Sequence, residues 1–132
     1  MWVYDLRQNS AQLTPEDWET GMTIRSTTVG KAVVVKLVGS MEGRASTEFD
    51  AAWDRLLEEG QKSFVVDLSE LDYINSAGIG SFLRNGKLTL EKGGSLRICG
   101  IKGLVKELFE MTQLTSVFPN FDSAESACQG FA

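Results

Sequence analysis

The run SFVVDL, at residues 63–68, limits the possible folds more than any other stretch of this chain. It is largely apolar and lacks the alternation of a strand that has one face in water. A run of this kind is typical of a strand covered on both faces in the interior of a sheet. A stretch with helical spacing follows it, from Ser76 to about Glu91. A buried strand followed by a helix predicts a layered α/β domain.

The chain repeats this alternation from residue 22 onward. MTIRSTTV and AVVVKLV, joined by Gly30-Lys31, are rich in β-branched residues and predict a hairpin. A helix is predicted near residues 47–59, with a capping box formed by Thr47 and Asp50. A strand is predicted in GGSLRICG, followed by a helix in LVKELFEMT that is buried through Leu104, Leu108 and Met111. A short strand in TSVF and a closing helix that buries Cys128 complete the predicted elements. This pattern predicts an α/β fold with a mixed central β-sheet of about 4–5 strands and flanking α-helices.

The helix after Ser76 has two faces when its residues are placed at intervals of about 100°. We expect the apolar face to be buried and the polar face to be exposed. The apolar face holds Ile79, Phe82, Leu83, Gly86 and Leu90, and the polar face holds Ser81, Arg84, Asn85, Lys87 and Glu91. Leu88 is the exception, because it points away from the apolar face.

Charge and length exclude several classes of protein. The 132 residues predict one domain, and 13 basic against 18 acidic residues give a net charge of −5. A negative chain is a poor general ligand for nucleic acid or for an anionic membrane surface. No apolar run is long enough to span a bilayer, and the start of the chain lacks the pattern of a signal peptide, so we expect a cytoplasmic protein. Cys99 and Cys128 are then expected to be reduced thiols in the core.

The segment Asn75-Ser76-Ala77 invites comparison with a catalytic serine, and the sequence argues against that reading. There is no histidine to act as the base, and no Gly-x-Ser-x-Gly surrounds Ser76. Gly78-x-Gly80-x-x-Leu83 lacks the third glycine of a dinucleotide fingerprint. No metal-ligand spacing is present either. We therefore expect no catalytic residue, no metal and no cofactor.

What remains is the physics of a helix start. If Ser76 is the N-cap, the backbone N–H groups of Ala77, Gly78 and Ile79 point toward its side chain. These donors and the helix dipole favour negative charge, so they could hold a phosphate attached to Ser76. The simpler reading is that Ser76 only caps the helix. The chemistry of the residues alone favours the simpler reading.

Residues 22–132 resemble the STAS domain, specifically the bacterial anti-sigma factor antagonists. The resemblance is carried by VVVKLVGSME, FVVDLSELDYINSAGIGSFL, LRICGIKGLVKELFEMTQL and FPNFDSAESA. It implies a single STAS domain with a mixed sheet and flanking helices. Residues 1–21 form an N-terminal extension with a short helix expected from about residue 15. We expect the extension to pack on its own domain, and a contact in a homodimer is the alternative.

The resemblance also implies a phosphorylation switch. Unphosphorylated antagonists bind an anti-sigma factor of the serine-kinase type, the kinase phosphorylates them and the complex weakens, and a PP2C-like phosphatase resets the system. The family's phospho-acceptor serine falls on Ser76. The acidic residue common after the second strand falls on Glu42, near the partner surface. This chain differs from the family pattern in having Asn75 where aspartate is usual and Ala77 where a second hydroxyl is usual.

We therefore predict a partner-switching regulator that is not an enzyme. Ser76 is its phosphorylation site, and the amides of Ala77, Gly78 and Ile79 stabilise the phosphate. Glu42, Asn75 and Leu88 are expected near the docking surface. The main alternative is a STAS interaction subunit of a transport or signalling scaffold assembly that is not phosphorylated, which Asn75 favours. Binding of a small ligand in the crevice beside Ser76 also stays open.

Overall fold

The computed structural model describes residues 4–5 and 21–131, which contain one six-stranded mixed sheet and the helices around it. The strands are β1 Tyr4–Asp5, β2 Met22–Val29, β3 Ala32–Met41, β4 Ser63–Ile74, β5 Ser95–Cys99 and β6 Asn120–Phe121. The helices are α1 Ala45–Glu58, α2 Ser76–Glu91, α3 Gly103–Met111, α4 Leu114–Val117 and α5 Ala124–Ala127. The helix expected from about residue 15 lies outside the described residues.

The strands lie in the sheet in their order along the chain. β1, β2 and β3 pair antiparallel, and β3, β4, β5 and β6 pair parallel. β4 lies between β3 and β5, and residues 64–68 are buried. The predictions of an α/β mixed sheet and of a doubly covered strand at SFVVDL are confirmed. The two edge strands have two residues each, which explains why the sequence pattern gave fewer strands.

The larger hydrophobic core fills the space between one face of the sheet and helices α1 to α4. Large aromatic side chains dominate it, since Phe49, Trp53, Phe64, Phe82 and Phe109 are all fully buried. Phe49 packs on Trp53 and on Phe82 with ring centroids 5.6 and 5.1 Å apart. Aromatic side chains bury large areas, so this cluster fixes how α1 and α2 sit on the sheet.

Three sequence predictions about helices and strands are wrong. α1 begins at Ala45, its N-cap is Arg44, and no side chain caps it, so Thr47 and Asp50 do not form a capping box there. The TSVF segment contributes to the short helix α4, and the last strand is β6. α3 buries Val105 and Phe109, and Leu108 packs partly buried against the core as predicted, whereas Leu104 and Met111 are exposed. Phe109 turns α3 inward because its ring packs against Phe82, with centroids 5.3 Å apart.

The predicted faces of α2 are wrong in part. Phe82 is buried and Arg84, Lys87 and Glu91 are exposed as predicted, but the buried face is also partly polar. Ser81, Asn85 and Thr89 are buried, whereas the side chains of Leu83 and Leu90 are 47% and 73% exposed. Hydrogen bonds compensate for the burial of the Thr89 and Ser81 hydroxyls, whereas the buried Asn85 Nδ2 finds no hydrogen-bond partner among the described residues. The indole N–H of Trp53 donates to Thr89 Oγ1 over 2.8 Å, and the Ser81 hydroxyl donates to the Ser46 carbonyl over 3.4 Å.

Leu88 does not point outward as predicted. It is partly buried and packs against the larger core. The position of α2 explains this, because the helix turns Leu83 and Leu90 toward solvent and so brings Leu88 closer to the neighbouring layer. Leu88 is therefore removed from the predicted docking surface.

A second and smaller core lies on the other face of the sheet, beneath α5. It contains Val34, Val65, Cys99 and Ala127, with Cys128 and other partly buried side chains packed against it. Both cysteines are free thiols, as predicted. Burial raises the pKa of the Cys99 thiol from its ordinary value of 9.0 to about 12, and the nearby Asp67 carboxylate adds to the effect.

The glycines of α2 provide a test of how tightly the helix packs. A Cβ at position 86 would lie 2.5 Å from Cε1 of Phe118, whereas a Cβ at position 80 would meet no atom within 4 Å. Both alanine substitutions gain helix propensity, but overpacking costs about 1–3 kcal/mol. We expect Gly80→Ala to raise the free energy of unfolding by about 0.5–1 kcal/mol. In denaturant titrations we expect the free energy of unfolding of Gly86→Ala to be about 1–3 kcal/mol lower than that of Gly80→Ala. Equal stability of the two variants would contradict this packing.

The Cys99 thiol gives a pH-dependent prediction. Above pH 9.0 the unfolded chain loses the Cys99 proton, and the folded chain keeps it up to about pH 12. The folded state then binds more protons, so stability falls as pH rises through this range, by at most about 1.4 kcal/mol per pH unit. Cys99→Ser removes the titrating group, and we expect a flatter alkaline stability curve in urea titrations. Parallel curves for the two proteins would argue against a buried, protonated thiol.

Candidate functional site

The candidate site lies where β3 and β4 end together. These strands are parallel, and Met41 at the end of β3 is paired with Ile74 at the end of β4. The Asn75 N–H donates to the Met41 carbonyl over 3.0 Å, which continues the pairing one residue beyond β4. Glu42 follows Met41 directly, so Glu42 and Asn75 meet at the same edge of the sheet. Ligand sites and partner sites of open α/β sheets are commonly found at this carboxyl edge.

The start of α2 differs from the prediction, because Asn75 and not Ser76 is the N-cap. Asn75 has an extended backbone, and its Oδ1 accepts a hydrogen bond from the Gly78 N–H over 2.8 Å. Ser76 is the first residue inside the helix, and it is exposed. Asparagine and aspartate are among the strongest N-cap residues, and the Asn75 side chain here accepts a hydrogen bond from a free backbone N–H at the start of α2. The Ser76 hydroxyl is therefore not needed as a cap.

Some backbone N–H groups of the first turn of α2 already have hydrogen-bond acceptors, and others face the surface without an acceptor in the helix. Gly78 N–H is held by the Asn75 side chain, and Ile79 N–H donates to the Asn75 carbonyl over 3.0 Å. Two of the three amides predicted to stabilise a phosphate are thus already bonded. The N–H groups of Ser76 and Ala77 have no acceptor within the helix. Together with the dipole of a 16-residue helix, they make this surface favourable for negative charge.

Gly78 brings the helix start close to the strand ends. A Cβ at this position would lie 2.5 Å from Met41 Sδ and 2.7 Å from Ile74 Cγ1, and both of these side chains are buried. Only a residue without a side chain allows α2 to begin directly above the ends of β3 and β4. Gly78 is thus a positioning residue for the exposed Ser76. The sequence analysis assigned it only an amide, although its glycine identity was the available signal.

The surroundings of the site are acidic. Glu42 and Asp72 are exposed, and Glu70 near the end of β4 pairs with Lys36 of β3. The hydrogen bond from Lys36 is the main cause that lowers the pKa of the Glu70 carboxyl below its usual value. A phosphate on Ser76 would add about −1.5 to −2 charges to this edge.

The described residues give no sign of a metal centre. No cluster of three or more potential metal-ligating side chains occurs among them. In the same residues no helix has both the length and the apolar character needed to cross a membrane.

Comparison with known proteins gives a consistent result. A model of the STAS domain family matches residues 23–127. BtrV of Bordetella bronchiseptica, whose name assigns it to the anti-sigma factor antagonists, is 31% identical over 99 residues, which are 75% of this chain and 85% of BtrV.

Two solved structures support the same fold. An anti-sigma factor antagonist from Mycobacterium paratuberculosis has a TM-score of 0.70 at 17% identity, covering 88% of this chain and 95% of that chain. The Bacillus cell fate determinant SpoIIAA in its phosphorylated form has a TM-score of 0.63 at 16% identity, covering 78% of this chain and 95% of that chain. At these identities the structures establish the shared fold only.

The cap assignment predicts that alanine destabilises the protein at position 75 and has little effect at position 76. Asn75→Ala removes the acceptor for the Gly78 N–H, and we expect it to lower the free energy of unfolding by about 1 kcal/mol. Asn75→Asp keeps a carboxylate acceptor near the helix dipole and should match the wild type or exceed it slightly. Ser76→Ala should leave stability almost unchanged, because alanine is a good helix former and Ser76 is not the cap. Thermal and urea unfolding of the three variants test this order. A larger loss for Ser76→Ala than for Asn75→Ala would contradict the cap assignment.

Proposed function

Because this chain belongs to the STAS domain family, we propose that it acts as an anti-sigma factor antagonist that is switched by phosphorylation of Ser76. The unphosphorylated protein binds an anti-sigma factor of the serine-kinase type, and phosphorylation releases it. A PP2C-like phosphatase restores the binding form. The protein is then the substrate of an ATP-dependent kinase, and the chemistry is performed by its partner. The name of BtrV supports the first part of this proposal.

The observation that carries the proposal is the position of Ser76. Its side chain is exposed on the first residue of α2, beside Glu42 at the carboxyl edge of the sheet. A kinase can reach this hydroxyl without unfolding the helix. The cap formed by Asn75 is independent of the Ser76 hydroxyl, so phosphorylation leaves the cap intact.

The phosphate acts on the partner and not on the fold. The amides of Ser76 and Ala77 and the helix dipole tolerate the added charge. The same charge lies at the edge of the sheet where Glu42 and Asp72 are exposed. A partner surface that fits the neutral hydroxyl would then meet a bulky dianion at the centre of an acidic edge. Steric exclusion and repulsion weaken the complex while the antagonist keeps its structure.

The capping role of Asn75 weakens the argument for an unphosphorylated interaction subunit. That alternative depended on asparagine replacing the usual aspartate before the acceptor. Asparagine and aspartate are equally good N-caps, so either residue preserves the start of α2 and the exposure of Ser76. The change from aspartate to asparagine removes a charge and keeps the geometry.

The proposal is tested by incubation with ATP and a cognate anti-sigma factor kinase. We expect intact mass spectrometry to show an added mass of about 80 Da, one phosphate, in the wild type and none in Ser76→Ala. We expect the phosphorylated protein to lose binding to the kinase in titration calorimetry. Asn75→Asp serves as a matched control, because it keeps the cap and should still be phosphorylated. If an active cognate kinase leaves the wild type unmodified, the switch is wrong. If Ser76→Ala is still modified, the site is wrong.

A further inference from the structure

An apolar groove runs beside the C-terminal half of α2. It has a volume of about 430 Å³ and lies between α2, β5 and α4. Its walls include Leu83 and Leu90 of α2 and Val117 of α4, and these three side chains are 47%, 73% and 55% exposed. Phe118 is almost completely buried and forms part of the lining, where it packs against Gly86. Exposed apolar side chains gathered around a groove are a common mark of a protein interaction site.

The groove continues along the helix face that presents Ser76. Residues 76, 80, 83, 87 and 90 are spaced by four and three positions in turn, and all five are exposed. At about 100° per residue they lie within an arc of roughly 80°, opposite the buried face that contains Phe82 and Asn85. The proposed phosphorylation site and the groove therefore belong to one continuous surface, which we call the α2 stripe.

A single interface of ordinary size is large enough to cover the whole α2 stripe. Ser76 and Leu90 are 14 residues apart, which corresponds to about 21 Å along a helix. A standard interface buries about 800 Å² on each partner, and a disc of that area is about 30 Å across. A protein that covers Ser76 thus reaches the groove without any unusual extension.

The charge at the groove indicates the chemistry of the occupant. Lys87 carries the only charge among the residues that line it. Exposed Glu91 and Lys92 at the end of α2 carry opposite charges, so Lys87 is the charge that distinguishes the groove in a chain with a net charge of −5. A partner segment with an acidic residue beside its apolar side chains complements this surface.

We infer that the anti-sigma factor docks an amphipathic helix along the α2 stripe, placing apolar side chains between Leu83, Leu90 and Val117 and a carboxylate against Lys87. This inference rests on the proposed function and adds the surface and the partner chemistry to it. Helix-in-groove recognition uses apolar anchors of this kind, with charge at the rim. The groove supplies affinity and partner choice, and Ser76 at the other end of the stripe supplies the switch.

The chain offers a matched control for this inference. Leu104 and Met111 on α3 are 47% and 79% exposed, close to the values for Leu83 and Leu90, and they do not line the groove. The test compares Leu83→Gln/Leu90→Gln with Leu104→Gln/Met111→Gln in the full-length unphosphorylated protein. Glutamine has a helix propensity close to that of leucine, and the sites are exposed, so both variants should fold. Circular dichroism melting verifies this before binding is measured.

Binding to the cognate anti-sigma factor is then measured by titration calorimetry. We expect the groove variant to bind at least tenfold more weakly than the wild type and the α3 variant to stay within about twofold. We also expect Lys87→Glu to weaken binding severalfold at low salt, with a smaller effect at high salt, and Lys31→Glu in the β2–β3 turn to have little effect.

The outcomes separate this inference from the proposed function. If the wild type binds and the groove variant binds equally well, the groove assignment is overturned and the antagonist function stands. If the wild type does not bind an active anti-sigma factor, the proposed function fails, and the inference fails with it. If the groove variant changes only the self-association of the protein in analytical ultracentrifugation, the occupant is a second copy and the inference is wrong.

Discussion

The parallel pairing of β3 with β4 is the interaction on which the site depends. Because of this pairing the two strands end at neighbouring positions. The Asn75 N–H donates to the Met41 carbonyl, which extends the pairing one residue beyond β4. The next residue starts α2, whose cap is the side chain of Asn75 itself. Gly78 allows the helix to lie against the strand ends. The exposed serine is therefore placed by backbone pairing and close packing, and its own side chain contributes nothing to its position.

The sequence was sufficient for the four longer strands β2 to β5 but not for the two-residue edge strands or for the orientation of α2. Continuous apolar runs and β-branched strands predict buried strands reliably, because a strand without polar alternation has no face for water. The buried face of α2 was predicted wrongly because apolar side chains were assumed to be the buried ones. Ser81 and Thr89 are buried since hydrogen bonds to Ser46 and Trp53 satisfy them, and no local pattern reports a partner 35 residues away. The cap was missed for a related reason, because adjacent Asn75 and Ser76 are both good capping residues and only the backbone geometry distinguishes them.

The unusual orientation of α2 is informative about the surface that carries Leu83 and Leu90. A helix that buries polar side chains on its inner face and exposes leucines on its outer face departs from the usual pattern. The inner polar contacts join α1 and α2, and Arg84 reinforces them because its Nη2 donates to both carboxylate oxygens of Asp54 over 3.1 Å. The outer leucines contribute little to this packing. Their exposure is better explained by a contact outside the chain than by the stability of the fold.

The separation of the groove from Ser76 along one rigid helix has a consequence for the evolution of related pathways. A cell that contains several antagonists of this kind must prevent each one from capturing the wrong partner. Under the proposed function, substitutions at Leu83, Lys87 or Leu90 would change which partner fits, and they lie two to four helical turns from the Ser76 hydroxyl. Duplicated copies could then diverge in their partners while every copy retained the proposed response to phosphorylation of Ser76.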